Sequence, residues 1–176
     1  QALNQLVATG LVVSIPKCGM KVRTFNFQDM KDNWEARLMV EQFCAVPAVE
    51  RVRHDEDFVK HIQDILDISN HEYGKCIADF TKENFNLLTE HDRMLHTELV
   101  KCSRNQQIMN MYNSLNAHSC MFAGYGCHTP KTLRQVQDQH TEIVNQLLLC
   151  DVDGLRKALE SHIYSTVQIY RSAWKE

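Results

Sequence analysis

Asp92, His96, His140 and His162 are the residues of this chain whose types and placement could hold a metal ion. A carboxylate and three imidazoles suit a first-row divalent metal. Asp92-x-x-x-His96 sets its two groups one helical turn apart on one face. The spacing alone decides little, because Asp57/His61 and Asp67/His71 repeat it. The neighbours separate the three pairs. At roughly 100° per residue, Asp92 and His96 point with Phe85, Leu88, Leu95 and Leu99. Asp57 lies opposite the apolar stripe of Phe58, Val59, Ile62, Ile65 and Leu66, with His61 on its flank, and Asp67 and His71 project away from it.

His140 falls between Leu133, Val136, Val144 and Leu147, and His162 between Leu155, Ala158, Leu159 and Ile169. Polar groups on such faces need partners, because burying them unpaired is costly. The bland alternative for each is a core histidine bonded to a backbone carbonyl or a water. Four inward ligand types from three helices point instead to one shared interior site. His118, read as inward with Met111, Leu115 and Phe122, leaves three roles open: ligand, effector contact or core residue. Arg37 sits on the seam of Met30, Trp34, Val40 and Cys44 and needs an anion, either Glu41 one turn on or a ligand.

These residues must be positioned by helices. The periodicity predicts helices near 28–46, 48–73, 76–102, 105–124, 130–149 and 152–174, punctuated by Pro47, Gly124-Tyr125-Gly126, Pro130 and Gly154. Short breaks favour antiparallel neighbours in a bundle. Ahead of them, residues 11–25 read as a β-hairpin. Leu11, Val13 and Ile15 alternate, Pro16-Lys17-Cys18-Gly19 supplies the turn, and Met20 and Val22 resume the extended pattern. Ala2 to Ala8 reads as the end of a helix, with Gly10 as its cap. Helix end, glycine and a ribbon with a basic tip suit either the close of a winged helix-turn-helix or an ordinary αββ corner.

The chain of 176 residues carries a formal charge of −3, unevenly spread. Residues 1–28 contain Lys17, Lys21 and Arg23 and no acid, so the acidity belongs to the rest, and the basic end suggests an anionic partner. Seven dispersed cysteines without a C-x-x-C pair point to a reducing compartment and argue against a zinc ribbon. With no long apolar run and nothing like a signal peptide, the expectation is a cytoplasmic protein without a membrane span. The start at Gln1, inside an element, suggests a missing N-terminal segment.

In combination and order, several motifs resemble the GntR superfamily of transcriptional regulators, FadR subgroup, with the metal-dependent FCD effector domain. Gln1 to Val12 and Lys17-Cys-Gly-Met-Lys-Val22 resemble the end of the winged helix and its wing. Arg37-Leu-Met-Val-Glu41 resembles the R-x-x-L-E motif, with Val40 where leucine is usual. Asp92-Arg-Met-Leu-His96, Ser103-Arg-Asn105, His140-Thr-Glu-Ile-Val144 and Asp151 through His162 are similar to the motifs that follow. The resemblance implies a mainly α fold: an antiparallel six- to seven-helix bundle over 26–176, behind a winged-helix remnant over 1–25. It implies Asp92, His96, His140 and His162 as ligands of a divalent metal, zinc first, with nickel, manganese or iron as alternatives. It implies a small organic or sugar acid as effector, with Arg37 as clamp and His118 as contact, and argues against an acyl-CoA. It implies Lys17 and Lys21 at DNA phosphates, operator DNA as partner, a homodimer, and a DNA-binding domain whose first helices this chain lacks.

The leading expectation is therefore a ligand-responsive transcriptional regulator and not an enzyme. The alternative is a metal-dependent hydrolase or lyase using the three-His/one-Asp site with an activated water. Asp138 and Glu142, the acids nearest His140, face away from it and do not read as a general base. A di-iron bundle would need Glu-x-x-His motifs, which the chain does not have.

Overall fold

The computed structural model describes residues 7, 12–22, 26–115 and 124–173. Strands β1 (Val12–Ile15) and β2 (Gly19–Val22) pair antiparallel, with Val12 opposite Val22 and Ile15 opposite Gly19. The turn needs left-handed backbone at Lys17 (φ 64°) and Gly19 (φ 91°), and only the glycine adopts it freely. The alternation named Val13 and Ile15, yet both are exposed and Val12, on the other face, is buried. In a two-stranded ribbon the covered face is set by what packs on it, and a one-residue offset exchanges the faces. The expected helix over 2–8 falls outside the described residues, except for Val7, which is helical.

Six helices follow among the described residues: α1 (Phe27–His54), α2 (Glu56–Ala78), α3 (Lys82–Lys101), α4 (Gln106–Ser114), α5 (Pro130–Leu148) and α6 (Val152–Ala173), with a 3-10 turn at Gly124–Cys127. The mainly helical architecture agrees with the sequence reading; several boundaries do not. Pro47 does not end α1. Its missing N–H leaves only the carbonyl of Phe43 unserved in the ladder, and Phe43 is an exposed residue. The break comes at Asp55, which closes α1 and caps α2: its side chain accepts from Phe58 N–H and from Arg51 Nε, both at 2.9 Å. Arg51 also lies 4.0 Å over the Phe58 ring. Likewise α2 runs on through exposed Gly74, because Tyr73 and Cys76 extend its buried stripe, and the stop is the Thr81 cap of α3. Asn26 starts α1 with a reciprocal capping box to Asp29, and Thr129 caps α5 ahead of Pro130.

Helices α2 and α3, and α5 and α6, are joined by three-residue connections and pack as helical hairpins. Helix α1 lies against α6 and α3, and α2 against α5. The core they enclose centres on Trp34, Phe58, Ile62, Phe85, Leu95, Leu159 and Tyr170. Short α4 is attached separately, through Tyr112 packed on Val40, Cys44 and Val100. The sequence reading placed Met111 on its inner face; Met111 is exposed and Tyr112 is the residue that α4 buries. Across the described residues no helix is long and apolar enough to cross a membrane.

The 3-10 turn is held by a close approach. A Cβ on Gly124 would stand 1.8 Å from Tyr170 Oη. Tyr170 cannot easily yield, because its ring is packed edge-on to Trp34 at 4.5 Å and to His128 at 5.5 Å. Gly124→Ala is expected to destabilise the fold by about 1–3 kcal/mol. Gly126→Ala, with open space at its Cβ, should stay within about 0.5 kcal/mol. Urea denaturation of the two variants measures the difference.

Candidate metal centre

Asp92 and His96 on α3, His140 on α5 and His162 on α6 come together in the core, each at most 3% exposed. One ligand atom from each lies within 4.8 Å of the others. His140 Nε2 is 3.2 Å from His96 Nε2 and 3.0 Å from Asp92 Oδ1. Two donors at about 2.0–2.1 Å from one tetrahedral metal stand about 3.3 Å apart, so these are the separations of neighbours in one coordination shell. The competing pairs behave differently: Asp57, His61, Asp67 and His71 are all exposed.

The far side of each ring is occupied. His96 Nδ1 faces Glu41 Oε2 at 2.9 Å, His140 Nδ1 faces Tyr73 Oη at 3.3 Å, and His162 Nδ1 faces Gln139 Oε1 at 3.4 Å. Glu41 and Gln139 offer only oxygen acceptors there, so His96 and His162 carry their proton on Nδ1. Tyr73 Oη lies 3.5 Å from Asp92 Oδ1 and can donate to it while accepting from His140 Nδ1–H. His96 and His140 then turn Nε2 inward, the nitrogen a metal would take. Facing lone pairs repel unless a cation sits among them. Asp92 Oδ2 is buried with no hydrogen-bond partner, a spare anionic oxygen in the same place. The donor set fits a divalent metal.

Without a metal, the charged forms of these histidines act on Asp92 and on one another. Burial alone would raise the Asp92 carboxyl, but His140, then His96 and Arg37, outweigh it and hold the group well below the usual carboxylate range. Burial, then His140 and His96, push His162 well below the usual imidazole value. His96 is lowered by burial and Arg37 against the opposing pull of Glu41.

Arg37 resolves into two functions. Its Nε donates to Glu41 Oε1 at 2.6 Å, the pair one turn apart that the sequence offered. Its Nη2 is buried without a partner. Glu41 also accepts from Tyr112 at 2.7 Å, so its oxygens serve Arg37, Tyr112 and His96. Burial opposes the Glu41 anion, but Arg37 and His96 keep it ionised and low in pKa. Beside the cluster lies a cavity of about 20 Å³, room for a water molecule. Arg37, Tyr73, Asp92 and His162 line it, with His128, Thr166, Tyr170 and apolar Phe85 and Leu88.

Sequence reasoning missed His128, Tyr73 and Tyr112. His128 follows the 3-10 turn, where no helical period can mark it as inward. Tyr73 was taken as the end of a helix, though its phase with Ile62, Ile65 and Ser69 marks it as buried. His118 falls outside the described residues. Lys17 and Lys21 are exposed on the hairpin.

Residues 32–165, which hold the four ligand residues with Arg37, Glu41 and His128, match the FCD domain family. The chain belongs to this family. Among curated proteins none matches the sequence. Several solved structures share the FCD chain's fold. McbR/YncC of E. coli is similar at a TM-score of 0.79 and 15% identity, over 98% of this chain and 83% of its own. Lar, described as controlling expression of the Listeria monocytogenes agr system and mediating virulence, gives 0.71 at 14% identity, over 97% and 77%. A transcriptional regulator of the GntR family from Pseudomonas syringae gives 0.57 at 19% identity, over 97% and 67%.

Two outcomes follow for the FCD core. Glu41→Ala leaves the Arg37 charge buried and unpaired and should cost about 3–5 kcal/mol in urea denaturation. The second concerns acid. His128, His96 and His162 have folded pKa values below the ordinary 6.5, His128 at about 4 by burial against a weaker opposing effect of Asp92. The unfolded chain therefore binds protons first. Stability of the metal-free protein is full above pH 6.5 and lost as pH falls toward the folded values. His128 alone accounts for roughly 3 kcal/mol between pH 6.5 and 4. A melting-temperature series in chelator from pH 8 to 4.5 should decline below pH 6.5, less steeply for His128→Phe.

Proposed function

We propose that this FCD chain is the sensing part of a GntR-type transcriptional regulator, binding a divalent metal and a small carboxylate that together modulate operator binding. The observation that carries the reading is the cavity beside the four ligand residues. It brings together an unpartnered guanidinium nitrogen of Arg37 and an unpartnered carboxylate oxygen of Asp92. A buried cation with a free donor calls for an anion, and the guanidinium fork matches a carboxylate.

Asp92, His96, His140 and His162 hold the metal, with zinc the first candidate and nickel, manganese and iron the others. The bound metal supplies Lewis acidity toward a carboxylate oxygen. Arg37 orients the acid from the other side, and Glu41 fixes Arg37 and His96 relative to each other. The cavity has room for a water, so even a short acid must displace that water and part the cavity walls, and a long one is disfavoured. Sensing fits better than hydrolysis. Asp92 and Glu41 are the only fully buried carboxylates among the described residues; this reading gives Asp92 to the metal, and Glu41 has both oxygens engaged, so no buried carboxylate is left as a general base.

The domain division that accompanies this reading is a DNA-binding segment over 1–25 and the FCD bundle over 26–176. In the complete regulator Lys17 and Lys21 meet DNA phosphates, fixing position more than sequence. The regulator acts as a homodimer on operator DNA.

The test combines elemental analysis with calorimetry on a panel of two- to four-carbon carboxylic acids. Wild type should carry near-stoichiometric metal, and His140→Ala should lose it while staying helical. Arg37→Lys keeps a charge for Glu41 but loses the fork. It should retain metal and bind acids at least about tenfold more weakly, the scale of a charge-assisted hydrogen bond. Stoichiometric metal in His140→Ala would remove the ligand assignment, and unchanged acid affinity in Arg37→Lys would remove the clamp.

A further inference from the structure

Tyr112 is the residue that α4 buries, and one carboxylate joins it to the metal centre. Its hydroxyl donates to Glu41 Oε1 at 2.7 Å, and Glu41 Oε2 accepts from His96 Nδ1 at 2.9 Å. On the other edge of that ring, His96 Nε2 is 3.2 Å from His140 Nε2. The line runs from His140 through His96 and Glu41 to Tyr112, and so from the ligand cluster to α4.

Helix α4 is an element on which such a line can act. It has nine residues, and a helix that short is not stable in water by itself. No acid sits in its first turn and no base in its last, so side chains do not counter its dipole. Asn105 caps it, accepting from Gln107 N–H at 2.9 Å and Ile108 N–H at 3.3 Å. Its hold comes from packing on Val40, Cys44 and Val100, outside the main core. An element held by so small a contact opens ahead of the global fold. Cys44, 0% exposed, belongs to this contact and is uncovered when α4 lifts.

We propose that metal binding is coupled through His96, Glu41 and Tyr112 to the docking of α4, so that a filled site clamps α4 and an empty one loosens it. This rests on the reading of Asp92, His96, His140 and His162 as metal ligands. In the metal-free protein it is Glu41 that keeps the proton on His96 Nδ1. With a metal on Nε2 the proton has no other site on the ring, and the polarised imidazole donates more strongly. Glu41 is then fixed where its other oxygen meets Tyr112. Coupling is reciprocal, so docked α4 raises metal affinity by the factor with which the metal holds α4. Tyr112 is a positioning residue in this scheme, acting on His96 through Glu41.

The test is hydrogen exchange read by mass spectrometry on the full chain, metal-free in chelator and loaded with zinc. Amides of α4 should exchange at least about fivefold more slowly with zinc, the low end of such couplings. Alkylation of Cys44 should slow with them. Tyr112→Phe keeps the ring and removes the hydroxyl. It should bind zinc about fivefold more weakly in calorimetry and lose the zinc dependence of α4 exchange. Asn105→Ala is the control. Loss of the cap should speed α4 exchange about fivefold while the ratio between metal-free and zinc forms stays as in wild type. Equal α4 exchange with and without zinc, in a protein that binds zinc, overturns the proposal, and so does a zinc effect that survives Tyr112→Phe. Both outcomes leave the metal site standing. If zinc, nickel and manganese all fail to bind, the ligand assignment falls and this coupling with it. Should Tyr112→Phe not fold, Asn105→Ala decides, because its α4 opens well ahead of the fold. A zinc ratio that persists there supports the coupling, and a lost ratio overturns it.

Discussion

A guanidinium at 1% exposure is the constraint around which this core is organised. Removing Arg37 from water is tolerable only because Glu41, 0% exposed and one turn along α1, meets it at 2.6 Å. Each ion is then obliged to find further partners, since a pair alone seldom repays the desolvation of both charges. Glu41 finds Tyr112 on α4 and His96 on α3. One buried ion pair therefore ties three helices together. It also explains why α4, outside the main core, is attached at Tyr112.

The same chain of contacts sets the chemistry at the far end. Glu41 accepts a hydrogen bond from His96 Nδ1–H and so turns Nε2 toward His140. Tyr73 on α2 and Gln139 on α5 do the same for His140 and His162. The ligand geometry is thus specified by residues that touch no metal. Tyr73 and Tyr112 remain donors because burial, then Asp92 and Glu41 respectively, push their hydroxyls well above the usual phenol range.

Much of this was legible in the sequence, and the failures have physical reasons. Asp92, His96, His140 and His162 could be chosen because each sits within a long helix whose apolar phase is clear, and all four are buried together. Arg37 and Glu41 were visible as neighbours one turn apart. Which of the two readings of Arg37 held could not be read from spacing, since it depends on each guanidinium nitrogen; the structure gives Nε to Glu41 and leaves Nη2 without a hydrogen-bond partner. Pro47, and the break expected between residues 73 and 76, misplaced the helix boundaries because packing outweighs local propensity. The true stops, Asp55 and Thr81, act through side-chain caps that a search for proline and glycine overlooks. His128 had no periodic context, so only the folded turn reveals it.

Helix α1 runs unbroken for 28 residues through Pro47, a rod of about 42 Å at 1.5 Å per residue. Its first residue follows the cap at Asn26, just beyond the hairpin, and Arg37 lies ten positions further in. That makes the helix a lever with its fulcrum at the buried ion pair. A tilt of 10° about Arg37 would carry the Phe27 end by about 3 Å, so a small rotation at the guanidinium becomes a large displacement at the start of the helix.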